Sequence, residues 1–317
     1  MKTAYEIMKK ADTIAIFTHI TPDCDGVDSS IALKLHLESI GKKVQLFCED
    51  KISEYLKFLP KVDTYKTEIY SNFDLYIVLD CVNLNRIGKL AEIVSKQNNI
   101  LAIDHHPNFD NFAHYSISNP NASSTGEMLF EFFNTNKIEI TKEIAKSLYA
   151  SIASDTGGFI QSNSNVKVFN YIANLMQLNI DYNYINEKLF FSKSLNQVML
   201  YKTALNNSKF YYDNSVLICI LTEKDFKQNN STREDAHGII GDLRCISTVK
   251  LCILLSEKEK NCFSVSIRSK DNISSNALAS LYGGGGHFYA SGCLIRGKIK
   301  HIIPKLLENI EKVLKNE

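Results

Sequence analysis

The hydrophobic positions in the first third of the chain come in short runs, and polar residues follow each run directly. Four of these runs have the length and composition of buried β-strands: TIAIF (13–17), KVQLFCE (43–49), DLYIVLD (74–80) and NILAIDHH (99–106). Between the first two runs, VDSSIALKLHLESIG (27–41) has the pattern of an amphipathic helix that ends at Gly41. Strands that alternate with helical segments predict an α/β fold, with a mainly parallel sheet and helices on both faces.

The pattern becomes helical from residue 123 to about 206, and then strands and helices mix. TVKLCILLSE and CFSVSIRS, separated by KEKN, predict a hairpin, and HIIPKLLENIEKVLK predicts a last helix. We therefore expect an α/β domain over residues 1–190, a helical linker over 191–207, and a smaller α+β domain over 208–317.

Composition and charge exclude several classes of protein. The 317 residues are 44% hydrophobic and carry a net charge of +1, which argues against a protein that binds long duplex nucleic acid through a basic surface. MKTAYEIMKKAD is too charged for a signal peptide, and no apolar run reaches transmembrane length. We therefore expect no membrane partner. The eight cysteines form no Cys-x-x-Cys pair, so we expect reduced thiols in the cytoplasm and no zinc site.

Acidic and histidine residues stand where the predicted strands end. One helical segment, ASIASD, also ends in an aspartate just before TGG. If the strands are parallel neighbours, their carboxyl ends meet in one crevice, which is where open α/β sheets bind ligands. The residues expected there are His19, Asp23 and Asp25 in the loop after the first strand, Asp80, His105 and His106 at later strand ends, and Asp155.

So many carboxylates in one crevice would repel one another and lose solvation unless cations were bound. Two divalent metals about 3.5–4 Å apart would resolve this, and such pairs catalyse in-line displacement at phosphorus. Oxygen ligands combined with imidazoles suit Mn²⁺, Fe²⁺ or Co²⁺ better than Mg²⁺. Any single strand-end aspartate is more often a turn or cap residue, so the prediction depends on the joint pattern.

These motifs resemble the DHH family of phosphoesterases. HITPDCD has the form of its first motif, Asp80 matches the second, Asp104-His105-His106 the third and Asp155 the fourth. The resemblance continues to the end of the chain, because SIRSK (266–270) and GGGGHFYASG (283–292) are similar to the DHH-associated C-terminal domain.

The resemblance implies two divalent metal ions, with Mn²⁺ as the expected metal. It assigns His19, Asp23 and Asp80 to the first ion. It assigns Asp25, Asp80, His105 and Asp155 to the second, so that Asp80 bridges the two ions. It also implies that His106 faces the scissile phosphate and protonates the leaving oxygen. Asp104 would orient a neighbouring histidine without binding a metal ion itself.

The glycine run GGGG (283–286) also suggests an anion-binding loop on physical grounds. Consecutive glycines let backbone N–H groups approach an anion, although a flexible turn is the commoner meaning of such a run. Arg268 and His287 could add charge-assisted hydrogen bonds to a phosphate. The expected substrate-binding residues are Arg268, Ser269, Gly284, Gly285, Gly286 and His287, with His237 and Arg244 in DAHGIIGDLR as weaker candidates.

Within the family, the chain is most similar to the oligoribonuclease and pAp phosphatase type. The implied function is hydrolysis of short RNAs to mononucleotides and of 3′-phosphoadenosine 5′-phosphate (pAp) to AMP. The alternatives are a phosphodiesterase for cyclic dinucleotides or pApA, an inorganic pyrophosphatase, and a non-catalytic nucleotide-binding module. The expected partners are short RNA or nucleotide phosphates, and the sequence leaves a homodimer open.

Two residues depart from the family pattern. Asp28 stands where members commonly have glycine, and Cys24 where a small residue is usual. We expect Asp28 near a helix N-terminus, which favours negative charge. It could therefore alter metal preference at the site.

Overall fold

The computed structural model describes residues 1–236 and 238–315, so the candidate His237 lies outside the described residues. The chain divides into two compact units, Met1–Ser192 and Lys193–Glu317. Each unit is built around its own β-sheet. Among the described residues, no helix is both long enough and apolar enough to cross a membrane.

The sheet of the first unit has five parallel strands in the order β2-β1-β3-β4-β5. The parallel sheet predicted from the apolar runs is confirmed. The fifth strand was not predicted, because YSIS has no apolar run and is mostly exposed. The strands are β1 (Thr13–Phe17), β2 (Lys43–Phe47), β3 (Leu75–Leu79), β4 (Ile100–Asp104) and β5 (Tyr115–Ser118).

Helical segments cover both faces of this sheet, as the alternating pattern predicted. Ile14 and Ile16 of β1 pack with α2, α4 and α5 on one face. The intervening Ala15 and Phe17 pack on the other face, with residues of the short helical stretch that follows β3. The helices of this unit are α1 (Lys2–Lys10), α2 (Cys24–Ser39), α3 (Ala91–Val94), α4 (Thr125–Thr135), α5 (Lys142–Asp155), α6 (Val166–Met176) and α7 (Tyr182–Phe190).

Helix α2 differs from its prediction in two ways. It begins at Cys24 and not near Val27, because the Asp23 side chain caps it by accepting the N–H of Gly26 at 3.1 Å. Asp25 therefore lies in the first turn of the helix and not in the loop. The helix is also buried almost all round, and not amphipathic, since α4 and α5 cover the side that faces away from the sheet.

The second unit contains a mixed six-stranded sheet in the order β10-β11-β9-β8-β7-β6, with apolar cores on both faces. The predicted hairpin is confirmed as an antiparallel pair of β8 and β9. The strands are β6 (Lys209–Tyr211), β7 (Val216–Leu221), β8 (Leu251–Glu259), β9 (Cys262–Ser269), β10 (Gly285–Gly286) and β11 (Ala290–Arg296).

The described residues of this second unit form five helices. The segment expected as a linker contains α8, which buries Leu200 and Ala204 in the same apolar cluster as β7. The helices are α8 (Leu195–Asn207), α9 (Glu223–Gln228), α10 (Ile239–Arg244), α11 (Ser275–Ser280) and α12 (Ile299–Lys315).

His36 is an ionisable residue inside the apolar core of the first unit. Its ring packs between those of Tyr5 and Phe133, with centroids 5.6 and 5.5 Å away. The Nε2 atom is buried without a hydrogen-bond partner, and burial lowers the pKa of His36 below its usual 6.5. The folded state therefore favours the neutral ring.

We predict that His36→Phe weakens the pH dependence of stability on the acid side. Because the folded pKa is depressed, the unfolded chain binds the proton first, and the native protein loses stability as pH falls through about 6.5. Urea unfolding at pH 7, 6 and 5 should show a steeper fall in the free energy of unfolding for the wild type. The excess slope is at most about 1.4 kcal/mol per pH unit, the value for one proton. Parallel curves for the two proteins would contradict this account.

Candidate metal centre

Three neighbouring strands end at one edge of the first sheet and place polar side chains there. His19 follows β1, Asp80 follows β3, and His105 and His106 follow β4. Asp80 has a φ of 58°, which is costly for a residue other than glycine, yet its N–H stays bonded to the carbonyl of Ile103 at 3.0 Å. Such strained positions often occur at functional sites.

The six predicted ligands lie in two groups, and a third group of Asp80, His105 and His106 joins them. His19, Asp23 and Asp80 form one, while Asp25, His105 and Asp155 form the other, with the ligand atoms of each group within 4.8 Å of one another. In the first group, Nε2 of His19 lies 3.5 Å from Oδ1 of Asp23 and 3.4 Å from Oδ2 of Asp80. In the second, Nε2 of His105 lies 3.7 Å from Oδ2 of Asp25 and 3.4 Å from Oδ2 of Asp155.

Asp80 belongs to the first group and, in the third, lies beside His105 of the second. Its Oδ2 atom faces His19, while its Oδ1 atom lies 3.5 Å from Nε2 of His105. The Thr125 hydroxyl also donates to Oδ1 at 3.2 Å. A carboxylate that presents one oxygen to each group has the arrangement of a bridging ligand.

Backbone carbonyls orient both histidine rings. Nδ1 of His19 lies 2.9 Å from the carbonyl of Ile20, and Nδ1 of His105 lies 3.3 Å from that of Ala122. A proton on Nδ1 that is donated to a carbonyl directs Nε2 at the carboxylates, where it donates while it is protonated and can bind a metal ion once that proton is lost. The guanidinium of Arg86 also lies 3.2 Å from Nδ1 of His19, a contact that the sequence did not predict.

Asp25 is held by the N-terminus of α4. Its two oxygens accept the backbone N–H groups of Thr125 at 2.8 Å and Gly126 at 3.1 Å, and the Ser151 hydroxyl donates to Oδ1. Gly126 leaves room for the Ser151 hydroxyl, since a Cβ at residue 126 would lie 1.9 Å from its Oγ. These supports were not predicted from the sequence, although SSTG before an apolar run is a helix-start signal that could have indicated them.

The carboxylates of the centre perturb one another strongly. Burial, followed by the charge of Asp80, raises the pKa of Asp25 to about 7. Burial and the charge of Asp25 raise the pKa of Asp155 well above its usual value. Burial would also raise the pKa of Asp80, but hydrogen bonds from His105 and His19 hold it well below the usual range.

The same carboxylate charges favour protonated histidine rings. Burial disfavours the charged rings, yet neighbouring carboxylates raise the pKa of both His19 and His105. Without metal, ring protons are the cations of this centre. The donor set of imidazole nitrogens and carboxylate oxygens fits divalent ions such as Mn²⁺, Fe²⁺ or Co²⁺, which would replace those protons.

The other two predicted catalytic residues, His106 and Asp104, contact each other. Nδ1 of His106 lies 2.8 Å from Oδ1 of Asp104, and the backbone N–H of His106 donates to Oδ2 at 3.1 Å. Asp104 is fully buried, whereas the His106 side chain is 30% exposed. The carboxylate therefore fixes the orientation of a ring that remains accessible to solvent.

In the second unit, two arginines lie around Ser269. Arg268 is on β9, and its Nη1 donates to the carbonyl of Ile267 at 3.0 Å, while Nε of Arg244 donates to that of Ser269 at 3.1 Å. Burial and the charge of Arg244 lower the pKa of Arg268. Ser269 itself is buried. The two guanidinium groups are therefore close enough to interact, which favours binding of an anion.

The glycine run is more ordered than a flexible turn. Gly285 and Gly286 form the edge strand β10, which pairs with Gly292 and Ser291 of β11. A Cβ on Gly284 would lie 2.2 Å from the carbonyl oxygen of Gly292, so the chains approach too closely for a side chain. His287 is exposed directly after this strand, and its N–H donates to the carbonyl of Ala290 at 2.8 Å.

Comparison with known proteins gives matches to both units. The N-terminal domain of the DHH family matches residues 13–152, and the DHHA1 domain matches residues 213–316. The bifunctional oligoribonuclease and PAP phosphatase NrnA of Bacillus subtilis is 30% identical over 296 residues, which cover 90% of each chain. NrnA of Thermus thermophilus is 26% identical over 318 residues, covering 99% of this chain and 94% of that one.

A solved structure also matches over the whole chain. An exopolyphosphatase-related protein from Bacteroides fragilis superposes with a TM-score of 0.89 and 26% identity, covering 99% of this chain and 95% of that one. RecJ of Thermus thermophilus, at 12% identity and a TM-score of 0.52 over 52% of its length, shares the fold alone.

The shared position of Asp80 predicts how metal binding responds to substitution. The wild-type protein should bind two Mn²⁺ ions per chain. Asp23→Asn should weaken the binding of one ion only, whereas Asp80→Asn should weaken the binding of both ions. The loss of affinity in Asp80→Asn should exceed the roughly 10–100-fold that is typical of residues that support a ligand without binding the metal. Equilibrium dialysis with metal analysis would measure this, and circular dichroism would check folding. If Asp80→Asn lost only one ion, the bridging role would be wrong.

Proposed function

Because the chain belongs to the DHH family of phosphoesterases, we propose that it hydrolyses short oligoribonucleotides to mononucleotides and pAp to AMP. The observation that carries this proposal is the shared Asp80, which lies between two groups that each combine histidine and carboxylate. NrnA relatives at 26–30% identity over at least 90% of the chain support the choice of substrate. We assign hydrolysis of phosphoester bonds to the first unit.

The proposed resident metals are two Mn²⁺ ions. His19, Asp23 and Asp80 would hold one ion, and Asp25, Asp80, His105 and Asp155 the other. Two such ions would activate water and stabilise the phosphoryl oxygens during in-line displacement. The carbonyls that orient His19 and His105, and the N–H groups that bind Asp25, keep the ligands in place before substrate arrives.

We assign proton transfer to His106. A proton on Nδ1 is held by Asp104, so Nε2 is the atom that would exchange a proton with the leaving oxygen of the nucleotide. Its partly exposed ring is compatible with contact to substrate. Asp104 would thus act on the reaction through His106, as a positioning residue.

In the second unit, the proposed phosphate-binding groups are Arg268, Ser269, Gly284, Gly285, Gly286 and His287. The neighbouring Arg244 adds a second positive charge beside Arg268. An enzyme that binds a terminal phosphate favours short substrates, and a net charge of +1 offers little attraction to long duplex nucleic acid. We further propose a cytoplasmic location, because the eight cysteines are free thiols.

A substrate panel tests the proposed activity directly. With Mn²⁺, the protein should release mononucleotides from a 5′-phosphorylated RNA dinucleotide and phosphate from pAp, while long RNA, cyclic di-AMP and pyrophosphate should react more slowly. His105→Ala should abolish turnover, because it removes a ligand of the second ion. Turnover of pyrophosphate alone would contradict the proposal. Preferred cleavage of cyclic di-AMP would replace it by the cyclic-dinucleotide alternative.

The contact between Asp104 and His106 predicts the kinetics of Asp104→Asn. Loss of the carboxylate should lower kcat by roughly 10²–10⁴-fold, the range for a proton-transfer group, and leave KM nearly unchanged. The double variant with His106→Gln should be no slower than His106→Gln alone, because both substitutions disable one step. Mn²⁺ binding serves as the control, and its loss in Asp104→Asn would show that the residue supports the metals and not His106.

A further inference from the structure

Two aromatic side chains of the second unit are exposed beside the proposed phosphate-binding groups. Phe288 and Tyr289 follow His287 directly, and they are 47% and 36% exposed. Among the described residues, neither ring belongs to the apolar cores of this unit. Single exposed apolar side chains are common on protein surfaces, but two adjacent rings beside a candidate binding site form a candidate contact surface for a ligand.

The backbone that carries the two rings is fixed by hydrogen bonds. The N–H of His287 donates to the carbonyl of Ala290 at 2.8 Å, and the N–H of Ala290 donates back at 3.3 Å. Phe288 and Tyr289 are therefore the two central residues of a tight turn. The carbonyl of Phe288 also accepts the N–H of Ser275 at 2.7 Å. A ligand that contacts the rings of such a turn pays little entropy for ordering the backbone.

The same turn joins the rings to the proposed phosphate-binding groups. The carbonyl of Tyr289 accepts the N–H of Ser269 at 3.1 Å. Ala290, the last residue of the turn, pairs with Arg268 on the neighbouring strand. A nucleotide carries a phosphate and a flat aromatic base on one ribose, so a single nucleotide offers a partner to the cationic groups and to the rings.

Phe288 is the better placed of the two rings for stacking on a base. The rings meet edge to face, with centroids 4.8 Å apart and planes at 78°. Whichever ring presents its edge, Phe288 keeps at least one face clear of Tyr289, and Phe288 is also the more exposed. A base that stacks on an aromatic side chain gains about 5–150-fold in affinity.

We propose that Phe288 stacks on the base of the bound nucleotide and that Tyr289 supports its ring. This inference rests on the proposed function, because the base belongs to the same short RNA or pAp whose phosphate the neighbouring groups bind. Stacking tolerates every base, since each has a π face, and this suits an enzyme that degrades short RNAs of any sequence. Inorganic pyrophosphate has no base and gains nothing from the contact.

The first test uses the absence of tryptophan from the chain. Phe288→Trp introduces a single fluorophore at the proposed stacking position, and AMP, the proposed product, is added to the full chain with Mn²⁺. AMP should quench the fluorescence saturably, with a dissociation constant of about 1 mM or lower. Ribose 5-phosphate, which lacks the base, should not quench it.

Phe210→Trp is the matched control for this measurement. Phe210 is 44% exposed and lies on β6, at the opposite edge of the same sheet from the glycine strand β10. A tryptophan there reports only collisional quenching and absorption of light by AMP. Its fluorescence should therefore fall linearly with AMP concentration and show no saturation.

Two further variants separate an aromatic contact from an apolar one. In calorimetry, Phe288→Leu should bind AMP at least about fivefold more weakly than the wild type, whereas Phe288→Tyr should stay within about threefold. With the 5′-phosphorylated RNA dinucleotide, KM of Phe288→Leu should rise by more than kcat falls. Mn²⁺ binding should match the wild type in both variants.

The proposal is overturned if AMP quenches both tryptophan variants alike, if ribose 5-phosphate quenches Phe288→Trp, or if Phe288→Leu binds AMP as tightly as the wild type. Absence of saturable AMP binding to the wild type would overturn it as well. Binding and turnover are measured separately, so the two failures are distinguishable. If the wild type cleaves the dinucleotide while Phe288→Leu binds AMP normally, the proposed function stands and the stacking role alone is wrong.

Discussion

The repulsion among the carboxylates of the metal centre is the constraint on which the first unit depends. Asp25, Asp80 and Asp155 surround His105, and Asp80 is also in contact with His19. Burial raises the pKa values of Asp25 and Asp155, so the charged cluster is unfavourable by itself. The same carboxylates would bind divalent cations tightly, because each ligand charge then has a positive partner.

The surrounding fold can be understood as the support for that cluster. Parallel strands bring His19, Asp80 and His105 to one edge, where the N-terminus of α4 supplies N–H groups to Asp25. Helix α2 lies between the sheet and α5, so it is buried almost all round and holds Asp25 inside the unit. Polar residues on a buried helix must find partners there, as Asp28 does in the thiol of Cys24 at 3.2 Å.

Sequence reasoning predicted the parts of this structure that local pattern encodes. The strands before His19, Asp80 and Asp104 follow from apolar runs, and their alternation with helices gave the parallel sheet. Grouping the ligands required the family resemblance, since spacing does not show which side chains meet. The contacts of Arg86 and Ser151 were missed because they join segments far apart in sequence. The start of α2 was misplaced because Asp23 was considered only as a ligand and not as a cap.

The central claim is that one carboxylate, Asp80, bridges two metal ions, and anomalous diffraction from crystals grown with Mn²⁺ tests it most directly. The account predicts two anomalous peaks about 3.5–4 Å apart, one beside His19 and the other beside His105, with an oxygen of Asp80 contacting each. A single peak, or two peaks that Asp80 does not join, would contradict it.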